Sequence, residues 1–261
     1  MSKIIYYYQT FQNLNYLKKI NFKTVTHLHL SSIHFGKNND GTNYIHLNND
    51  DPLSKTFDSL WNDMEYASEN CKVILMIGGA GSAYQELFSD FENYYKLLHN
   101  VLKTKTCISG IDLDIEENVN LNNIKMLINR IKTDFPHFTI CMAPVSSSLS
   151  SDEPGMGGFI YKDLYSSDEG KFIDYFNVQC YGDYSLNLLD SIVNNGYPVE
   201  KIVMGMISSQ DINNNINEIE KMNDKYNNFG GVFNWEYFDS PPGAPERPDI
   251  WAEVMYYIFK S

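Results

Sequence analysis

Ser109-Gly110-Ile111-Asp112-Leu113-Asp114-Ile115-Glu116-Glu117 alternates apolar and acidic residues. Successive side chains of a β-strand point to opposite faces, so this alternation predicts one apolar face and one acidic face. The acidic face holds Asp112, Asp114 and Glu116. In a barrel of parallel strands the apolar face meets the surrounding helices. The three carboxylates would then point inward, near the end of the barrel where catalytic residues gather.

A row of inward carboxylates is unfavourable in an ordinary core. Burying an unpaired ionised carboxylate costs several kcal/mol or forces its protonation, which is why active sites, rather than cores, contain such rows. Two other interpretations stay open. The strand end could simply emerge into solvent, or the row could bind Mg²⁺ or Ca²⁺. Ligands about 6 to 7 Å apart along one strand do not converge on one ion without help from other loops.

The rest of the chain favours an α/β barrel. Short β-rich runs recur with helical patterns between them, as expected of βαβ units. Eight strands are predicted, at Lys3–Tyr8, Thr26–Ser31, Lys72–Ile77, Ile108–Ile115, Phe138–Ala143, Tyr175–Tyr181, Lys201–Ile207 and Gly231–Trp235. Helices are predicted at Leu53–Glu69, Tyr84–Leu102, Leu121–Thr133, Leu186–Asn194, Ile212–Tyr226 and Asp249–Phe259. Eight strands close a (β/α)8 TIM barrel, which takes about 250 residues, so residues 1–261 are predicted to form one catalytic barrel.

Composition excludes several functions. The chain has 20 Lys and Arg against 33 Asp and Glu, a net charge of −13, and no cluster of basic residues, which argues against a nucleic-acid partner. Four cysteines, Cys71, Cys107, Cys141 and Cys180, show no C-x-x-C spacing and are predicted to be reduced.

No apolar run approaches 18 residues, so no membrane association is expected. No signal-peptide pattern is present, which predicts a cytoplasmic or otherwise intracellular protein, or a secreted one if a signal peptide has been removed.

Several motifs along the chain resemble glycoside hydrolase family 18, the chitinases and related endo-β-N-acetylglucosaminidases. Asp112-Leu113-Asp114-Ile115-Glu116 is similar to the D-x-D-x-E part of the family signature. The resemblance extends, in family order, to Gly78-Gly79, Met142-Ala143-Pro144, Gln179-Cys180-Tyr181 and Trp235. It covers nearly the whole chain and implies a TIM barrel. The connection before Gly231–Trp235 is too short for the α+β insertion domain of some members, which implies an open groove and endo-type cleavage.

The resemblance implies a catalytic role for each acid. Glu116 would protonate the glycosidic oxygen, which requires it to start protonated, and the substrate's 2-acetamido oxygen would act as the nucleophile. Asp114 would hold the acetamido N–H, and the Tyr181 hydroxyl would orient the acetamido oxygen. Asp112 completes the row, which titrates as a coupled set.

Six further residues are predicted to bind substrate. Trp235 would give a flat apolar floor for a sugar ring, with core packing as the alternative. Gln179 faces the same way as Tyr181 and would bond substrate or Asp114. Tyr6 is predicted to face inward and bond Asp112, and Tyr8 to line the groove or fill the core. Met142 and Gly79 complete the set.

Three departures from the family pattern affect these predictions. Ser109 replaces an Asp that supports the strand, and Met76 replaces a Ser that helps to hold Asp112. Gly182-Asp183 follows Tyr181, where many members have Asp or Asn directly. His27, His29 and His34 show no metal-ligand pattern and are predicted to be structural.

The predicted function is retaining, endo-acting hydrolysis of β-1,4-linked N-acetylglucosamine polymers by a monomeric enzyme without a metal or cofactor. Two alternatives stay open: an endo-β-N-acetylglucosaminidase acting on N-glycans, and an inactive, lectin-like barrel. The negative charge would also favour partly deacetylated, cationic glycans.

Overall fold

The structure is a computed structural model that describes residues 2–11 and 14–260, and nine strands lie in this part of the chain. They are β1 (Lys3–Tyr8), β2 (His27–Lys37), β3 (Asn43–Leu47), β4 (Lys72–Gly78), β5 (Ile108–Asp114), β6 (Thr139–Met142), β7 (Tyr175–Gln179), β8 (Ile202–Ile207) and β9 (Gly231–Trp235).

The same residues contain ten α-helices and four short 3-10 helices. The α-helices are α1 (Leu14–Leu17), α2 (Asp58–Ser68), α3 (Ala83–Ser89), α4 (Phe91–Thr104), α5 (Leu121–Asp134), α6 (Ser147–Ser150), α7 (Tyr161–Tyr165), α8 (Leu186–Asn194), α9 (Ile212–Lys225) and α10 (Ile250–Ile258). The 3-10 helices are Lys55–Phe57, Glu169–Phe172, Val199–Lys201 and Tyr237–Asp239.

Eight parallel strands close into the predicted barrel. Neighbours follow the order β1, β9, β8, β7, β6, β5, β4, β2, and β1 also pairs with β2. Ile5 is the register partner of both Phe233 on β9 and His27 on β2, so β1 closes the ring. One helix, α9, connects β8 and β9, which confirms a TIM barrel without an α+β insertion domain.

The strands separate two buried layers. The interior of the barrel holds Ile5, Tyr7, Ile74, Met76, Cys141, Tyr175, Val203 and Phe233, with Tyr181 and Trp235 packed against them. The layer between strands and helices holds the alternate residues, such as Leu75, Ile111, Leu113 and Val178. This alternation decides which side chains can reach the site.

The predicted orientation of β1 is wrong. Tyr6 and Tyr8 are fully buried on the outer face, whereas Tyr7 points into the barrel. The Tyr6 hydroxyl donates to the carbonyl of Pro248 (2.8 Å) and accepts from the amide N–H of Ala252 (3.0 Å), so it bonds the segment at α10 and not Asp112. Three consecutive tyrosines carry no polar alternation, so nothing in their pattern distinguishes the inner face of β1 from the outer one.

Two further substrate-binding predictions fail for the same geometric reason. Tyr8 packs beside Phe11 and Tyr237, with ring centroids 5.8 and 6.0 Å away, and is not part of a groove. Met142 is fully buried in the layer between strands and helices, while its neighbour Cys141 takes the inward position.

Element boundaries differ from the prediction mainly where side chains interrupt the backbone pattern. β2 continues to Lys37 and turns back as β3, an antiparallel hairpin outside the barrel that was not predicted. The helix predicted at Tyr84–Leu102 is two helices, because Asp90 has a non-helical backbone (φ −153°, ψ 63°). The Asp90 carboxylate accepts from the side chains of Asn43 and Asn93.

The predictions on cysteines and membrane segments can also be compared with the structure. All four cysteines are free thiols, as predicted. Within the described residues, no helix combines the length and apolar character that crossing a bilayer requires.

Candidate active site

The acidic row lies where the alternation predicted it. Ile111, Leu113 and Ile115 are buried in the layer between β5 and the helices. On the other face Asp112 is fully buried, Asp114 is 5% exposed, and Glu116, beyond the end of β5, is half-buried. Because two of the acids are enclosed, the row is not a strand end emerging into solvent.

The Gln179 side chain joins the two outer acids. From the end of β7, its amide Nε2 lies 3.1 Å from Asp114 Oδ1, 3.3 Å from Glu116 Oε1 and 2.9 Å from the carbonyl of Ala143. The predicted contact between Gln179 and Asp114 is therefore present. The amide thus bridges the two carboxyl groups and fixes their spacing.

Asp112 is held by two side chains that the sequence reasoning did not assign to it. The Tyr7 hydroxyl donates to Asp112 Oδ2 at 2.5 Å, and His29 Nδ1 lies 2.9 Å from the same oxygen. His29 is buried and hydrogen-bonded as predicted, but its partner belongs to the acidic row. In the sequence, only the alternation of side chains along β2, which turns His29 toward the barrel interior, could indicate this contact.

Burial and neighbouring charges disfavour ionisation of Asp114. Removal from water raises the pKa of Asp114 well above its ordinary value, and the charges of Glu116 and Asp112 raise it further. The hydrogen bond from Gln179 acts in the opposite direction but is the smallest of these influences. The centre of the row therefore retains a proton more readily than a free aspartate.

Two glycines allow the loop after β4 to lie against the acidic strand. The Gly79 N–H donates to the Asp114 carbonyl at 2.9 Å. Gly78 has φ +93°, and a Cβ there would lie 2.2 Å from that same carbonyl oxygen. A Cβ on Gly79 would lie 3.5 Å from Asp114 Oδ2, so Gly79 lies at the site as predicted. Only glycine combines this backbone conformation with so close an approach.

Tyr181 and Trp235 form the aromatic wall of the mouth. Both are partly exposed and pack on the interior cluster, Trp235 against Tyr7 with ring centroids 5.2 Å apart. Burial, and then the charge of Asp114, raises the pKa of Tyr181, so its hydroxyl stays a neutral donor at neutral pH. Trp235, Gly79 and Met76 line a cavity of about 570 Å³ beside the row.

The structure shows the contacts of the residues that depart from the family pattern, at Ser109, Met76 and Gly182-Asp183. The Ser109 hydroxyl donates to the Val73 carbonyl at 3.1 Å, which ties β5 to β4. Met76 receives a hydrogen bond at its sulfur from Ser31 (3.0 Å) and gives Asp112 no hydroxyl. Asp183 is exposed.

The three carboxylates do not form a metal centre of their own. Among the described residues, the one group of three metal-ligating side-chain types with mutually close atoms is His29, Asp112 and Cys141, within 4.8 Å of one another. His29 and Asp112 already bond each other in this fully buried group, so we interpret it as a hydrogen-bonded network.

Comparison with known proteins agrees with the geometry. A family model described as glycosyl hydrolases family 18 matches residues 3–259. The chain belongs to glycosyl hydrolases family 18. Comparison with curated protein sequences finds no significant match.

Solved structures of other family 18 proteins are similar over their full length. A fungal endo-β-N-acetylglucosaminidase is 32% identical with a TM-score of 0.87, and the match covers 99% of this chain and 98% of that one. The chitinase ChiC from Aspergillus fumigatus is 29% identical with a TM-score of 0.83, covering 98% and 99%. A family 18 chitinase catalytic domain from the fern Peteris ryukyuensis, 15% identical with a TM-score of 0.74, shares the fold over 100% of both chains.

This family 18 chain is therefore a glycoside hydrolase, and the predicted enzyme class is confirmed. The inactive-barrel alternative is not favoured. The catalytic assignments of Glu116, Asp114 and Tyr181 stay predictions, and their geometry supports the function proposed next.

Proposed function

We propose that this family 18 hydrolase cleaves β-1,4-linked N-acetylglucosamine polymers, chitin or chito-oligosaccharides, internally and with retention of configuration. The observation that carries the proposal is the Asp112–Asp114–Glu116 row, whose outer two acids are joined by Gln179 at 3.1 and 3.3 Å. Glu116 is half-buried at the end of the row and Asp114 is enclosed behind it, which would provide a proton donor and a charge stabiliser side by side.

In the proposed first step Glu116 donates its proton to the glycosidic oxygen while the bond from that oxygen to the anomeric carbon breaks. The substrate's own acetamido oxygen forms the new bond to the anomeric carbon, which gives an oxazolinium ion and a free leaving alcohol. Glu116 then removes a proton from water, whose oxygen attacks the same carbon and reopens the ring. Two inversions give net retention, and Glu116 ends protonated.

Asp114 and Tyr181 would hold the acetamido group between them. Asp114 would accept from the acetamido N–H and offset the positive charge on the oxazolinium ring. The Tyr181 hydroxyl would donate to the acetamido oxygen and fix its direction of attack. An intramolecular nucleophile held in this way can reach an effective molarity of roughly 10⁵ M or more.

The groove favours internal cleavage. The cavity of about 570 Å³ runs from Trp235 along Gly79 to His34 and His46 on the β2–β3 hairpin. Only α9 lies between β8 and β9, so no inserted domain forms a wall there. A polymer could therefore lie across the site.

One observation favours a second substrate. The chain is 32% identical over 99% of its length to a fungal endo-β-N-acetylglucosaminidase. Cleavage within the chitobiose core of N-glycans requires the same catalytic row and differs only in what the groove accepts. We therefore keep it as the second candidate.

Release of a fluorophore from a chitobiose or chitotriose glycoside tests the catalytic assignment. Glu116→Gln removes the acid and should lower kcat by roughly 10²- to 10⁴-fold. Glu220→Gln, an exposed residue of α9, makes the same chemical change far from the groove and serves as the control. Equal activity of wild type and Glu116→Gln would contradict the assignment.

A substrate panel separates the two candidates. We expect chitin tetramers and hexamers to be cleaved internally with higher kcat/KM than a high-mannose glycopeptide. The reverse order would establish the endo-β-N-acetylglucosaminidase. No cleavage of either class would contradict the proposed function as a whole.

A further inference from the structure

His29 lies in the barrel interior below the catalytic row, and both of its ring nitrogens have partners. Nδ1 is 2.9 Å from Asp112 Oδ2, and Nε2 is 3.1 Å from the Tyr175 hydroxyl. The side chains of His29 and Asp112 are both fully buried. No water competes for these contacts, so each hydrogen bond is strong and its loss is costly.

The direction of the bonds follows from the form of Asp112. Where Asp112 is ionised, its carboxylate only accepts, and the proton between His29 and Asp112 then lies on Nδ1. Nε2 of a neutral ring then accepts from the Tyr175 hydroxyl. Asp112 Oδ2 also accepts from Tyr7, whose hydroxyl oxygen accepts in turn from the Asn177 amide at 2.9 Å. Both donors are thus held from behind by side chains of β7, which lies across the barrel interior from β1 and β2.

Besides Tyr7 and His29, the Cys141 thiol also hydrogen-bonds to the Asp112 side chain, as a weak donor. Met76 is its register partner on β4, but its thioether has no donor. The second oxygen, Oδ1, is buried without a hydrogen-bond partner among the described residues. Removing His29 would leave the Tyr7 hydroxyl as the one strong donor to a fully buried carboxylate, beside the weak Cys141 thiol.

We propose that His29 is a positioning residue, which holds Asp112 as a fixed anion and thereby controls the protonation of Asp114 above it. This inference rests on the proposed function, because Asp114 is assigned its role there. His29 acts through Asp112 and touches no substrate.

The surroundings of the pair are consistent with this role. The titratable groups around it are Tyr7 on β1, His27 on β2, Asp114 on β5, Cys141 on β6 and Tyr175 on β7. Burial raises the pKa values of Tyr7, Cys141 and Tyr175 and lowers that of His27, so these four stay neutral near pH 7. The charge of Asp112, in contrast, is one of the causes that raise the pKa of Asp114.

The first test compares pH profiles of kcat/KM on a chitin oligomer. His29→Phe should lower kcat/KM by about 10- to 100-fold, since it removes a buried hydrogen bond to a charged group. Loss of a donor weakens the anionic form of Asp112, whose charge raises the pKa of Asp114, so the acidic limb of the profile should also move to lower pH. His29→Gln can still donate from its amide and should recover most of both effects.

Tyr175→Phe is the matched control, because it removes the partner of the far nitrogen and leaves the bond to Asp112. It should destabilise the protein without moving the acidic limb. An unmoved limb in His29→Phe, or the same shift in Tyr175→Phe, would overturn the proposal. If His29→Phe does not fold, His29→Leu, which also lacks a donor, takes its place: the acidic limb should move in His29→Leu and stay in His29→Gln, and an unmoved limb in His29→Leu would overturn the proposal.

A second test does not depend on turnover. A ¹⁵N spectrum of histidine-labelled wild-type protein should show His29 with its proton on Nδ1. A ring with an unprotonated Nδ1 would overturn the inference even in an active enzyme. A protonated Nδ1 in a protein that cleaves none of the proposed substrates would contradict the proposed function and leave the geometry of the inference intact.

Discussion

The three acids of one strand meet three different surroundings. Asp112 has two donors on one oxygen, Asp114 has the Gln179 amide and is enclosed, and Glu116 shares that amide but is only half-buried. The strand repeats a carboxylate at every second residue, but the neighbouring strands determine what each can do. The sequence could therefore predict the row, whereas the donors from β1, β2 and β7 required the closed barrel.

Asp114 should reduce stability at neutral pH. Burial raises its pKa above the unfolded value, so the folded state binds this proton more tightly than the unfolded chain does. The free energy of unfolding therefore falls as pH rises between the two pKa values, and the ionised group stays costly above them. We expect Asp114→Asn to raise Tm at pH 7 and to raise it less at pH 4, as measured by calorimetry, while abolishing turnover. The exposed Asp183→Asn is the control; a lower Tm for Asp114→Asn at pH 7 would contradict this account.

The Gln179 amide should affect both rate and pH dependence. Its hydrogen bond lowers the pKa of Asp114, so Gln179→Leu should raise that pKa further and move the acidic limb of kcat/KM to higher pH. A loss of about 10-fold or more in kcat/KM is expected. The exposed Gln85→Leu serves as the control. An unchanged profile in Gln179→Leu would show that the amide does not couple the two acids.

At the scale of elements, β1 shows where sequence reasoning reaches its limit. The boundaries of β1 and β9 match the prediction, because both are short apolar runs between turns. The orientation of β1 could not be predicted, since Tyr6, Tyr7 and Tyr8 are alike in polarity and bulk. The β2–β3 hairpin lies outside the prediction, because the predicted strand ends at Ser31 whereas β2 continues beyond the barrel to Lys37 and pairs with β3.

The corrected orientation of β1 makes opposite predictions for adjacent tyrosines. Tyr6→Phe leaves the Pro248 carbonyl and the Ala252 N–H without their partner and should cost about 1 to 3 kcal/mol of unfolding free energy, with kcat unchanged. Tyr7→Phe removes a donor from Asp112 and should lower kcat. Urea denaturation combined with chitin-oligomer kinetics measures both. A loss of kcat in Tyr6→Phe but not in Tyr7→Phe would contradict the orientation of β1 described here and would favour an inward Tyr6.

At the scale of the whole molecule, packing buries three of the four thiols and leaves Cys71 half-buried. Burial raises the pKa of Cys71 to about 12, of Cys180 to about 12 and of Cys107 to about 11. Cys141 is fully buried and its pKa is raised as well. Thiolates are the reactive form, so the native protein should react hardly at all with a thiol reagent at pH 8, and all four cysteines should react after unfolding. Rapid reaction of any thiol in the native state would contradict the packing described here.

The central claim is that Asp114 and Tyr181 hold the acetamido group of a sugar whose bridging oxygen lies beside Glu116. A crystal of Glu116→Gln soaked with chitin tetramer tests it most directly. We predict an acetamido group between the Asp114 carboxyl and the Tyr181 hydroxyl, with its sugar ring over the Trp235 indole. An oligomer bound elsewhere, or one whose acetamido group points away from Asp114, would contradict the claim.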